Sequence, residues 1–288
     1  MNCNICPRKC NIDRKFRSGF CGVGDKLRIA RASLHFWEEP CVSYKNGSGT
    51  VFFSGCNMGC VFCQNEDISH KYKGEDISPE RLVQIFYELK EQGAHNINLV
   101  TPTHYTKELA QILDKCPLPV VWNSSGYESK ESLMLLKGKV DVYLPDFKYG
   151  IDSVAEKYSK AKNYVDIAKE AMQEMYAQVG KYELIDGLIK KGVIIRHMIL
   201  PDNLENTYNV IDWVASTFKK GEVLFSLMSQ YTPYRNLPFE ELNRRITKKE
   251  YILARNYMLK KGLTDGFVQE LSSAKEEYTP AFDLTGVK

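Results

Sequence analysis

Cys56, Cys60 and Cys63, in the stretch GCNMGCVFC at residues 55–63, carry the most specific chemistry in this 288-residue chain. Their C-x3-C-x2-C spacing, loosened by Gly55 and Gly59, lets one loop wrap three thiolates onto one small object. A cubic iron–sulfur cluster has four irons and normally takes four thiolates, so this loop is one ligand short and leaves an iron open. Structural zinc closes with four ligands and commonly pairs cysteines as C-x2-C. The trio fits that poorly, although His70 is close enough in sequence to keep zinc as an alternative. Three metal-free buried thiols are the bland reading, and the reactivity of clustered thiols argues against it. Phe62, just before the last cysteine, is placed to shield a cluster.

A second set, Cys3, Cys6, Cys10 and Cys21, has the spacing C-x2-C-x3-C-x10-C. Four thiolates make a closed ligand set for zinc or a second iron–sulfur cluster. Zinc would staple an appendage too small for its own core; a cluster would relay electrons inward. Cys41 and Cys116 stand apart and read as small core hydrophobes. An odd total of nine cysteines, with no apolar run in MNCNICPRKC, argues against a disulfide framework or a secretory signal and for a cytoplasmic protein. Net charge is +3 and no apolar run reaches the length of a membrane span, so neither nucleic acid nor membrane is expected as a partner.

The elements that must position these thiols follow a regular beat. TVFFSG (50–55) reads as a buried strand ending where the cysteine loop begins. SPERLVQIFYELKEQG (78–93) reads as a helix with Ser78 as N-cap, Pro79 in its first turn and Gly93 as stop. Strands are expected at 96–101, 119–125, 140–146, 193–201 and 222–229, and helices at 107–116, 129–138, 207–218 and about 248–261. A mostly helical insertion, roughly 151–190, interrupts the beat, and a polar tail ends it. Near-continuous apolar strands alternating with helices imply an α/β fold with a parallel sheet, open or barrel-like. Ligands in either arrangement bind at the C-terminal ends of the strands. The polar residues there are TPTHY (101–105), NSSGY (123–127), DFKY (146–149) and LPDN (200–203).

C-x3-C-x-aromatic-C after the first strand of an α/β repeat resembles the radical S-adenosylmethionine (SAM) superfamily. With SGTVFFSGCNMGCVFCQNEDIS, GAHNINLVTPTHY, YLPDFKY and RHMILPDN, the chain is similar to its glycyl-radical-enzyme activating-enzyme-like branch. More narrowly, it resembles pyruvate formate-lyase activating-enzyme-like proteins with an N-terminal Cys motif, over about residues 1–260. The resemblance implies a partial (β/α)6 TIM-like barrel, here with a small N-terminal Cys-rich metal module. Its implied cofactors are a [4Fe-4S] cluster on Cys56, Cys60 and Cys63, and SAM on the open iron. The implied reaction is reductive cleavage of SAM to a 5′-deoxyadenosyl radical that abstracts hydrogen from a glycine of a partner enzyme. The alternatives are radical modification of another peptide, protein or small molecule, and a non-catalytic iron–sulfur redox protein. The implied partners are an electron donor such as flavodoxin or ferredoxin and a protein or peptide substrate.

The resemblance also implies roles residue by residue. Many relatives hold the SAM amino group with Gly-Gly-Glu at the second strand end; this chain has Thr101 and Thr103, whose hydroxyls and carbonyls can accept from an ammonium or simply cap a helix. His104 is a candidate substrate contact or a structural histidine. Asn123 and Ser125 match the segment near the SAM ribose and carboxylate. Asp146 and Lys148 match a pair near the sulfonium, against the reading of a surface ion pair. Arg196 is suited to the methionyl carboxylate, or to an ion pair inside the barrel. The domain reading is a module and connector at 1–44 and a barrel at 45–288. HFWEEP (35–40) reads as a packed connector or a substrate-facing element, and MSQYTPY (228–234) as a lining of the substrate mouth.

Overall fold

The computed structural model describes residues 3–271 and 280–288. Its strands are β1 (Leu27–His35), β2 (Ser48–Phe53), β3 (Glu75–Ile77), β4 (Ile97–Val100), β5 (Val120–Ser124), β6 (Val142–Pro145), β7 (Glu183–Ile185), β8 (Leu188–Met198), β9 (Leu224–Met228) and β10 (Gly266–Val268). Among the described residues they form one sheet in the order β10-β9-β8-β6-β5-β4-β2-β1-β3, with β7 added to β8. From β2 through β4, β5, β6, β8 and β9 to β10 every pairing is parallel. β1 and β3 extend the β2 edge antiparallel. This is the parallel α/β sheet that the alternation of strands and helices implies, in the partial TIM-like form that the motif resemblance implies.

Side chains divide the sheet by register. Leu99, Trp122, Tyr143 and Val193 are lateral neighbours on one face and join the large core shared with the crossover helices. The next residues in each strand point the other way, into the concave face. Its floor is apolar: Val121, Val142, Ile194 and Leu224 pack around Cys41 and Val42. The latter two lie on the short helix Pro40–Ser43, and Asn96 Nδ2 donates to the Val42 carbonyl at 2.8 Å. Helix Pro79–Glu91 starts as expected, with Ser78 accepting from the Arg81 N–H; such a cap is worth about 1 kcal/mol.

Several sequence boundaries shift. β1 takes Leu27–His35 out of the expected 1–44 module and puts it in the sheet. Its Arg, Ala and Ser content hid the alternation, and a register shift between Ile29 and Arg31 breaks it. The helical insertion ends at Val179, after which β7 turns back onto β8. The expected helix at 107–116 is split into Thr106–Ala110 and a 3-10 turn at Leu113–Lys115. The tail is not simply polar. β10 pairs with β9, Phe282 and Val287 are buried, and Leu284 donates to the Ala30 carbonyl. Residues 272–279 lie outside the described part of the tail.

Candidate active site

Above the apolar floor the concave face becomes polar, and Arg196 organises it. Its Nε meets Asp146 at 2.8 Å, Nη1 meets Glu38 at 2.6 Å, and Nη2 donates to Asn123 Oδ1 at 2.8 Å. The second Glu38 oxygen accepts from Asn98 at 2.7 Å and from Asn123 at 2.8 Å. Lys148 Nζ closes the other side of Asp146 at 2.7 Å. Burial alone would raise the Asp146 carboxyl; Arg196 and Lys148 outweigh it and hold it below the usual range. Burial alone would lower Arg196 and Lys148; Asp146, with Glu38 beside Arg196, keeps both above their usual values. Glu39, next in the chain, is pushed up to about 7 by burial, against the pull of Arg196, and accepts from Ser226 at 3.0 Å.

The cysteine loop roofs this layer. Gly55 and Gly59 adopt φ of +86° and +65°, a region other residues enter at a cost. A Cβ on Gly55 would stand 2.6 Å from the Cys21 carbonyl. Each thiol faces a donor: Cys56 the Met58 N–H at 3.3 Å, Cys60 the Ser159 hydroxyl at 3.0 Å, Cys63 the Ser69 hydroxyl at 3.2 Å. Burial pushes Cys63 up to about 12 and Cys56 in the same direction, so metal binding there would expel protons. Phe62 is edge-on to Tyr158 and Tyr231 beside the loop.

Loop and polar layer line one cavity of about 250 Å³. One water needs only roughly 10–15 Å³, so this space suits a ligand rather than a packing fault. Cys56, Cys60, Cys63, Thr101, Asn123, Ser125, Asp146, Lys148 and Arg196 all line it. Asp146 and Lys148 are therefore no surface pair. Arg196 has both readings at once, facing the cavity while its charge is already met by two carboxylates. Thr101 closes β4 at φ +59°, a left-handed conformation costly for a β-branched residue, and its N–H donates to the Asn123 carbonyl at 2.8 Å.

Two expected site residues lie elsewhere. Thr103 is buried outside the cavity lining and donates to Glu128 at 2.7 Å. His104 is also buried outside it, with Nε2 2.8 Å from the Ser54 carbonyl oxygen and its ring 4.3 Å from that of Tyr105. Burial pushes His104 down to about 3, which suits a neutral structural histidine. The chain turns into a 3-10 helix at Thr103–Tyr105, so only the first residue of TPTHY reaches the cavity. His70 is outside the lining too, with Nδ1 2.8 Å from the Ser69 hydroxyl. From MSQYTPY, Met228, Gln230 and Tyr231 line the cavity.

Sequence reasoning left Glu38 and Glu39, in HFWEEP, between connector and substrate-facing element without tying them to Arg196, and it missed Asn98. A signal was present: an arginine inside a buried strand requires carboxylates, and EE after an aromatic pair is a source of two. HFWEEP is both connector and cavity lining, since His35, Trp37 and Glu38 reach the cavity.

The four N-terminal thiols gather at the same end of the molecule. Cys6 and Cys21 are buried, and the other three thiols of the set add to the effect of burial that pushes Cys6 up to about 12. Among the described residues, no three His, Cys, Asp or Glu side chains converge as a single metal ion would require. The chemistry of the donor set fits a cluster: Cys56, Cys60 and Cys63 line one cavity wall and are backed by N–H and O–H donors.

Comparison with known proteins gives the same picture. The model of the radical SAM superfamily matches residues 50–214. An uncharacterized protein of Methanocaldococcus jannaschii, MJ0674, is 35% identical over 262 residues, covering 86% of this chain and 72% of its own. Streptococcus suis SuiB, in a crystal structure bound to S-adenosylmethionine, aligns with TM-score 0.51 at 10% identity, over 79% of this chain and 51% of SuiB. A second SuiB structure gives 0.52 at 11% identity, over 79% and 50%. The chain thus spans about half the length of SuiB, and at this identity the likeness is one of fold.

Proposed function

Because this chain belongs to the radical SAM superfamily, we propose that its cavity holds a [4Fe-4S] cluster on Cys56, Cys60 and Cys63 with SAM at the open iron. The cluster and SAM, when bound, supply reductive carbon–sulfur cleavage to methionine and a 5′-deoxyadenosyl radical, which takes a hydrogen atom from the substrate. The observation that carries this reading is the shared cavity: three thiols on one wall and Asn123, Ser125, Asp146 and Lys148 at strand ends on the other.

The protein's part is placement and shielding. Ser69, Ser159 and the Met58 N–H stabilise negative charge on the sulfurs. Thr101 and neighbouring strand-end acceptors would hold the SAM ammonium in place of Gly-Gly-Glu, and Asn123 and Ser125 would bind its ribose and carboxylate. Lys148, fixed by Asp146, would set the charge near its sulfonium. Arg196 acts through others: it orients Asn123 and Asp146, with two of its three bonded nitrogens already on carboxylates. Phe62 and Tyr231 limit water at the cluster.

His35, Trp37 and Gln230 line the cavity, and the substrate would enter past them. A backbone glycine of a partner glycyl-radical enzyme is the target that the motif resemblance implies. An anaerobic mixture with such an enzyme from the same cell would then show a glycyl radical by electron paramagnetic resonance. No signal with any such enzyme would move the target to another peptide, protein or small molecule. The SAM site is tested separately: adding SAM to reduced, reconstituted protein should shift the cluster's resonance spectrum. An unchanged spectrum would refute SAM at the open iron.

A further inference from the structure

We propose that the N-terminal cysteine segment is the electron entry of this enzyme: Cys3, Cys6, Cys10 and Cys21 hold an iron–sulfur cluster, and the basic cleft beside it docks an acidic one-electron donor protein. The inference rests on the radical SAM reading of the cavity and adds where the electron comes in.

The segment is joined to the cavity's cysteine loop rather than hung beside it. The Cys56 N–H donates to the Cys21 carbonyl at 3.3 Å, so the last thiol-bearing residue of one set abuts the first of the other. The space for that contact exists because residue 55 is glycine. Arg8 Nε donates to the Asn57 carbonyl at 2.8 Å, and Nη2 to the Met58 carbonyl at 3.0 Å and the Ser159 carbonyl at 2.9 Å. Its guanidinium lies 3.7 Å over the Phe20 ring, which in turn covers Gly59. A zinc staple would hold the segment together without any of these ties to the catalytic loop.

The segment is basic, and part of that charge faces solvent. Residues 3–28 carry seven Lys and Arg against two Asp, net +5, while the whole chain is only +3. Arg14, Lys15, Lys26, Arg28 and Lys71 line a surface cleft with Asp25 and Asp76. Arg28 is paired to Asp76 at 2.9 Å and Lys71 to Asp67 at 3.1 Å, while Lys15 and Lys26 are exposed. The cleft's basic side chains outnumber its two carboxylates; a cleft of net positive charge steers an acidic partner, and salt weakens that steering. The electron balance is simple. The donor is oxidised by one electron, the N-terminal cluster is reduced by one, and the same electron passes to the cluster that faces SAM.

Two measurements test this. First, iron, sulfide and zinc are counted in anaerobically reconstituted Cys56→Ala/Cys60→Ala/Cys63→Ala protein and, in case that variant folds poorly, in wild type against Cys3→Ser/Cys10→Ser. Retained iron and sulfide in the former, or about half the wild-type iron in the latter, is expected. Zinc alone, or no metal lost with Cys3 and Cys10, overturns the proposal. Second, 5′-deoxyadenosine formation is followed with a low-potential acidic ferredoxin or with dithionite as reductant. Lys15→Glu/Lys26→Glu should slow the ferredoxin-driven rate at least tenfold at low salt and leave the dithionite rate unchanged. Equal ferredoxin rates refute the docking cleft, whereas loss of product with dithionite in wild type would instead refute the SAM reading itself.

Discussion

Glu38→Gln is the most informative perturbation of the polar layer. It keeps the side-chain size and removes one charge from a buried set of three acids and two bases: Glu38, Glu39 and Asp146 against Arg196 and Lys148. Removing one partner of a buried ion pair typically costs roughly 3–5 kcal/mol. Here Glu39 softens the loss. Burial holds it at about 7, and the Glu38 charge adds to that. At pH 8 a carboxyl at about 7 is already mostly ionised, so with Glu38 gone the Glu39 charge still offsets Arg196, and the single variant should lose only about 2–3 kcal/mol. Glu39→Gln alone removes a carboxylate whose ionisation is unfavourable and should cost little or stabilise. The double variant leaves Arg196 with Asp146 alone and should lose at least about 1 kcal/mol more than the two singles together. Urea unfolding of the reduced, metal-free chain, followed by circular dichroism at pH 8, measures all four corners of the cycle. Additivity within about 0.5 kcal/mol would refute the claim that the two glutamates share Arg196.

The pH dependence of the same group gives a second expectation. A carboxyl at about 7 in the folded chain and near 4.3 unfolded binds more protons folded than unfolded between those values. Its contribution to stability is therefore present at low pH and falls as pH rises from about 4.3 to 7, by roughly 4 kcal/mol in all. The difference between wild type and Glu39→Gln across that range should show this slope, and a flat difference would contradict it. Thr101→Gly should relieve the left-handed strain and raise stability by up to about 1 kcal/mol while weakening SAM binding, measured by calorimetry; unchanged affinity would remove Thr101 from the site. His104→Asn should destabilise the chain and leave SAM affinity within about twofold, and a tenfold loss would return His104 to the cavity. Gly55→Ala should cost more than about 1 kcal/mol, because both φ and the Cys21 carbonyl oppose a methyl group there.

The parallel sheet was legible because its strands are buried on both faces and read as unbroken apolar runs. The antiparallel edge was not, since β1 is rich in Arg, Ala and Ser and carries an irregular register. β10 is only three residues long, too short for a pattern. At the site, residues on the strand-end loops were found by position: Asn123, Ser125, Asp146 and Lys148 all reach the cavity. Thr103 and His104 were misplaced because periodicity does not reveal the tight 3-10 turn that sends them under the sheet's rim. Glu38 and Glu39 come from a distant segment, HFWEEP, that the sequence left between connector and substrate-facing element; the charge requirement of Arg196 is what ties Glu38 to the concave face.

The most direct test of the central claim is 5′-deoxyadenosine formation by anaerobically reconstituted protein with dithionite and SAM. Wild type should form it together with methionine, and Cys60→Ala should form none. Product from Cys60→Ala at the wild-type rate, or none from wild type carrying its full complement of iron and sulfide, would contradict the account.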